Sequence, residues 1–142
     1  VDELGDAWKN GCVHLPLLCS WNGRKVGCCE AGKLMNFYMG QLLAHMCKTR
    51  PINSSIVMSA GIVCNAGAET GRGKERRMDW PKGYASIVQK RAMETVLHGQ
   101  PTTEYLQFGD NVRVEMKNKD GHSIFGAIDH TVISPQGDGS ES

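Results

Sequence analysis

Asp129 and His130 set an acid beside a histidine, the residue types that activate water in many hydrolases. Neighbouring side chains of a strand point to opposite faces, so these two cannot form a dyad with each other. Cys12, Cys19, Cys28, Cys29, Cys47 and Cys64 could bind zinc or pair as disulfides, but no C-x-x-C spacing occurs among them. Free thiols behaving as small hydrophobes are the expectation. His45 lies between Leu42, Leu43 and Met46 and reads as a half-buried or surface histidine rather than a ligand. The basic run Gly71 to Arg77 invites phosphate or RNA contact, yet it lacks Walker spacing and interleaved aromatic residues, so a solvated loop is expected.

The whole chain carries 16 basic and 15 acidic residues in 142, a formal charge of +1. Such a balance provides no global field for nucleic acid or an anionic membrane. No run reaches the roughly 20 apolar residues of a spanning helix, and the polar start Val1 to Asn10 does not read as a signal peptide. A cytoplasmic protein is expected, and the initial Val suggests a fragment or processed product.

These groups must be positioned by a mostly β, α+β chain with one clear helix. Asp2 to Trp8 suits a short helical turn capped by Asp2. Cys12 to Cys19 reads as an edge or irregular strand because of Pro16, and Asn22-Gly23 turns it into a return strand over Lys25 to Cys29. Phe37, Met39, Leu42, Leu43, Met46 and Cys47 follow helical spacing, with Asn36 as the N-cap, Pro51 as the stop and the stripe facing a core. Ile56 to Met58 reads as a short strand, Ala66 to Lys82 as a long loop, and Ser86 to Leu97 is ambiguous between helix and strand. Val112, Val114 and Met116 alternate with charged residues and turn at Asn118 to Gly121 into Ser123 to Val132, a hairpin with one buried face. Residues 134–142 read as a disordered tail, leaving one partial domain over 1–133.

The run Leu106 to Met116, followed by Gly121-His122-Ser123-Ile124-Phe125-Gly126-Ala127-Ile128-Asp129, resembles the closing hairpin of the fumarylacetoacetate hydrolase family. Similar stretches are Asp2 to Trp8, His14 to Leu17, Asn22-Gly23, Gln41 to His45 and Lys48 to Pro51, so the resemblance spans about Val1 to Val132 in one order. It implies part of a mixed β-sandwich roll of the fumarylacetoacetase C-terminal type, whose members commonly dimerise and hydrolyse a carbon–carbon bond in β-diketones or acylpyruvates. Some relatives decarboxylate, hydrate or isomerise instead. The family chemistry uses Mg²⁺ or Mn²⁺ held by carboxylates, with a histidine and an acid activating water. Those carboxylates, the histidine dyad and the active-site lysine precede the region matched here, so no metal ligand is assigned. The resemblance also favours a strand for Ser86 to Leu97.

Four positions take roles from the resemblance. The family's Gly-Thr-Val-Ser-Asn type turn, whose threonine contacts substrate, reads Gly61-Ile62-Val63-Cys64-Asn65, so Gly61, Ile62 and Asn65 are substrate-binding candidates and Ile62 has lost the hydroxyl. The family's Ala-Glu-Lys-Arg type segment reads Val88-Gln89-Lys90-Arg91, so Gln89 stands at a catalytic glutamate position. An amide can orient water but cannot take its proton. The expectations are therefore a C-terminal piece of such a hydrolase, inactive alone, or a non-catalytic structural or dimerisation module of the same fold. The partners expected are a missing N-terminal half or a second copy, and a small oxoacid if the fold is complete; nucleic acid and membrane are not expected.

Overall fold

The computed structural model describes residues 2–65 and 84–135, and shows a strand-rich α+β architecture. The expected loop Ala66 to Lys82, its basic run included, lies outside the described residues, as does the expected tail beyond Pro135. A short 3-10 segment, Asp2–Ala7, is broken at Gly5 and leads into a small ribbon of β1 (Trp8–Lys9) and β2 (Cys12–Val13). A separate four-stranded antiparallel sheet follows, in the order β4-β3-β5-β6, with β3 at Pro16–Trp21, β4 at Arg24–Glu30, β5 at Asn111–Lys117 and β6 at Ser123–Thr131.

Asn22 and Gly23 both take positive φ, 50° and 74°, the twist that a two-residue hairpin requires. Asn22 then does a second job. Its Nδ2 donates to Asp110 Oδ1 at 2.7 Å, and its Oδ1 accepts from the Asn111 N–H at 2.8 Å. The tip of the first hairpin is thus fastened to the start of β5, and β3 pairs with β5 from Leu17↔Met116 to Trp21↔Val112. Of the two expectations, edge or irregular, β3 is an inner strand rather than an edge, and it is irregular in that its register with β4 shifts between Cys19 and Ser20. Pro16 is its first residue, where a missing N–H does not interrupt the ladder. The second hairpin is closed by the Asn118 side chain, whose Oδ1 accepts from the N–H groups of Asp120 (3.0 Å) and His122 (2.9 Å).

Three further expectations are corrected. Ile56 to Met58 forms no strand, and Val57 is 96 % exposed: a three-residue apolar run has no neighbouring strand to bond with among the described residues. Ser86 to Leu97 is a helix, α2 (Ile87–His98), so the described residues hold two α-helices where one was expected. It ends at Gly99, whose φ of 83° is the left-handed stop that glycine favours, with Pro101 following. Neither face of the second hairpin is buried: β5 is half-buried along its length and β6 largely exposed.

The helix α1 (Met39–Cys47) starts after Tyr38, not at Asn36, with Gln41 Oε1 accepting from the Tyr38 N–H at 3.1 Å. It ends before Pro51 as expected. Its apolar stripe is not core-facing: Leu42 and Met46 are half-buried, Leu43 and His45 exposed, and no α1 residue is buried among the described ones. The buried apolar residues are Cys12, Leu15, Cys19, Cys29 and Tyr84. Tyr84 reaches the sheet because Gly27 has no side chain; a Cβ there would meet the Tyr84 carbonyl oxygen at 2.6 Å. None of the six cysteines is in a disulfide, and burial pushes the Cys19 thiol up, with Cys28 adding to the effect.

Candidate functional site

β4 ends at Glu30, and the chain leaves it toward α1. The turn at 61–65 is brought alongside by one side chain. Asn65 Oδ1 accepts from the Glu30 N–H at 2.8 Å, and Asn65 Nδ2 donates to the Glu30 carbonyl at 2.9 Å. An amide that bonds both main-chain groups of one residue imitates the next strand of a sheet. The Cys64–Tyr84 bridge continues the contact. Gly61, at φ 92°, supplies the left-handed residue of the turn and donates its N–H to Ser59 Oγ at 3.1 Å.

Between these segments lies an open cleft of about 320 Å³, with Glu30, Leu34, Phe37, Leu42, Gly61 and Ile62 among its walls. Phe37 and Ile62 remain 62 % and 56 % exposed. One oxygen of Glu30, Oε1, is buried and has no hydrogen-bond partner among the described residues. It is the charged residue of the lining. A hard divalent cation takes several oxygen ligands, and no group of three or more His, Cys, Asp or Glu able to hold a metal occurs among the described residues. Glu30 alone does not fit Mg²⁺ or Mn²⁺.

The four expected site residues separate. Gly61 and Ile62 line the cleft, while Asn65 clamps the turn to β4. Gln89 does not line the cleft; it sits in α2, with its Oε1 buried and unpartnered among the described residues. The strand assigned to it is corrected to helix because Gly99 and Pro101 stop a helical run that Ser86 opens.

Next to Gln89 is a polar cluster that periodicity could not reveal. Lys90 and Glu94 are each 6 % exposed, and Lys90 Nζ donates to Glu94 Oε1 at 2.6 Å. Glu94 also accepts the Thr102 N–H (2.8 Å), the Thr103 N–H (2.9 Å) and the Thr103 hydroxyl (2.7 Å). Burial by itself would raise the Glu94 pKa, but the bonds from Lys90, Thr103 and Thr102 outweigh it and hold the carboxyl far below its usual range. Arg91 donates to the Thr103 carbonyl and stands 4.4 Å over the Tyr105 ring. The cluster joins α2 to the segment that leads into β5.

Asp129 is also committed. It accepts from Asn111 Nδ2 and Arg113 Nη1, each at 2.8 Å, and these bonds hold its carboxyl below the usual range. It faces Arg113 across the ladder while His130 faces Val112, so the acid and the histidine occupy successive, opposite-facing positions. Glu30 escaped the sequence reading; the one signal for it is an acid closing a strand just before Ala31-Gly32.

No protein-family model matches the chain, and no curated protein is a significant match to it. No helix among the described residues is long and apolar enough to cross a membrane.

Proposed function

We propose that the chain is the C-terminal portion of a fumarylacetoacetate hydrolase-type enzyme of the cytoplasm, acting on a carbon–carbon bond of a β-diketone or acylpyruvate, within a fumarylacetoacetase-type roll. The observation that carries the reading is that Gly61 and Ile62, which stand at the positions of the family's substrate turn with Ile62 in place of its threonine, form part of the wall of a cleft held against β4 by Asn65. The densest stretch of resemblance, Leu106 to Asp129, supports it by coinciding with one hairpin, β5–β6. The Mg²⁺ or Mn²⁺ of that chemistry is assigned to residues outside these 142. Within the chain, Ile62 supplies apolar contact without a hydroxyl, and Gln89 is not placed to orient water in this cleft. The chain alone is therefore inactive.

The test is complementation. The chain is mixed with the N-terminal half of a fumarylacetoacetate hydrolase-family enzyme, and acylpyruvate cleavage is followed with Mg²⁺ and with chelator. Slow, chelator-sensitive cleavage that rises in Ile62→Thr is expected. No cleavage in either form overturns the enzyme reading.

The second reading is a non-catalytic dimerisation module of the same fold. It is favoured by β6, which pairs on one side only among the described residues and exposes Phe125 and Ile128 at 59 % and 58 %. On either reading the chain self-associates, and sedimentation at tens of micromolar should show species larger than a monomer.

A further inference from the structure

We infer that the cleft beside Glu30 binds a small primary amine with an apolar body, its ammonium on the Glu30 carboxylate and its body along Leu34, Phe37 and Ile62. The inference goes beyond the hydrolase reading and leaves it standing: such an amine would share the wall at Ile62 with an acylpyruvate without entering its chemistry. Glu30 is the charged residue of the described lining, which holds no lysine, arginine or histidine. Its Oε1 is buried and unpartnered, and no hydrogen bond to Oε2 occurs among the described residues. A carboxylate left without donors is costly until one reaches it.

An ammonium answers that need better than the alternatives. It brings three donors and the opposite charge, where an alcohol brings one donor and no charge. A divalent cation asks for several oxygen ligands, and Glu30 is alone. Asn65 grips both main-chain groups of Glu30, so the base of the side chain is fixed. The last torsion of a glutamate is broad, so the carboxylate itself can still turn either oxygen to a donor. Phe37, 62 % exposed, adds an aromatic ring for the cation, and Leu34, Leu42 and Ile62 meet the apolar body. Because the cleft is open, water screens the ion pair and the charge contributes only modestly.

The experiment uses the 142-residue chain with isoleucine methyls labelled, titrated at pH 7 and low salt with two probes of one shape, phenethylamine and phenethyl alcohol. Phenethylamine should shift the Ile62 methyl signal and bind about fivefold more tightly than the alcohol, the ratio expected of an exposed ion pair. That lead should shrink at high salt, and Glu30→Gln should bring the two probes to the same affinity. Equal or tighter binding of the alcohol, no Ile62 shift with the amine, or a preference that survives in Glu30→Gln overturns the inference. The wild-type comparison decides the matter even where the variant folds poorly. Complementation is read by chelator-sensitive cleavage and this inference by binding to the chain alone, so the two fail separately.

Discussion

Glu94 and Glu30 each hold carboxylate oxygen away from water, and their surroundings are opposite. Glu94 accepts four hydrogen bonds, from Lys90, Thr102 and twice from Thr103, and so ties α2 to the segment entering β5. Glu30 has its main chain clamped by Asn65 while its Oε1 meets nothing among the described residues. Buried polar atoms in folded proteins are nearly always paired, and an exception calls for an explanation. A saturated carboxylate does structural work. An unsaturated one at the wall of a cleft has no such bonds to lose.

The largest effect should come from breaking the saturated side. Glu94→Ala leaves Lys90 charged and buried and strands the N–H groups of Thr102 and Thr103, a situation that costs about 3–5 kcal/mol. Urea melts of this variant should show that loss or outright unfolding. A loss under about 1 kcal/mol would mean that the cluster is not what joins α2 to the sheet.

The pH dependence of stability tests the same cluster more gently. The Glu94 pKa is lower in the folded chain than in the unfolded one, so the folded state binds fewer protons there. Its contribution is complete above the unfolded value of about 4.3 and is lost as pH falls toward the folded value. Asp110, Glu115 and Asp129 are shifted in the same direction by their hydrogen bonds, and they add to the acid slope. Urea melts between pH 7 and pH 3 should therefore show falling stability, with a shallower fall in Glu94→Gln. An unchanged slope in that variant would remove Glu94 from the account.

The same contrast explains what the sequence made legible. Both hairpins of the main sheet could be read because alternation and the Asn22-Gly23 and Asn118 to Gly121 turns are local signals. Asn10-Gly11 carries the same turn signal between β1 and β2 and went unread. α2 was obscured because its buried positions are Lys90 and Glu94 while Val88, Val96 and Leu97 face out, which inverts the pattern that periodicity looks for. α1 misled in the other direction, since helical spacing of apolar residues says nothing of whether a partner covers them. Of the cleft, Gly61 and Ile62 were singled out by resemblance alone, and what the structure shows of them is that they line it. Glu30 could not be read, because an orphaned oxygen arises from contacts between segments 35 residues apart.

A smaller effect is expected from Asn65→Ala. It removes the two bonds to the Glu30 main chain and releases the 61–65 turn, which should cost about 1–2 kcal/mol. Hydrogen exchange at the Glu30 amide should accelerate more than exchange at mid-sheet amides. If Glu30 stays protected, the turn is held by something other than this clamp.

The smallest effect is the one that best separates the two carboxylates. Glu30→Gln keeps the side-chain shape and removes an acceptor that no described donor uses, so stability should change by less than about 0.5 kcal/mol, as at sites free of specific interactions. Glu30→Met goes further, exchanging an unpaired polar end for an apolar one beside Leu34 and Phe37, and should raise stability by about 1 kcal/mol. Replacements at Glu94 have the opposite sign because every oxygen there is in use. Thermal melts of the four proteins Glu30→Gln, Glu30→Met, Glu94→Gln and wild type, measured side by side at pH 7, read both signs at once. A Glu30 variant that loses as much stability as Glu94→Gln would show that the Glu30 carboxylate carries a structural bond, and the cleft would then have no free acceptor to offer a ligand.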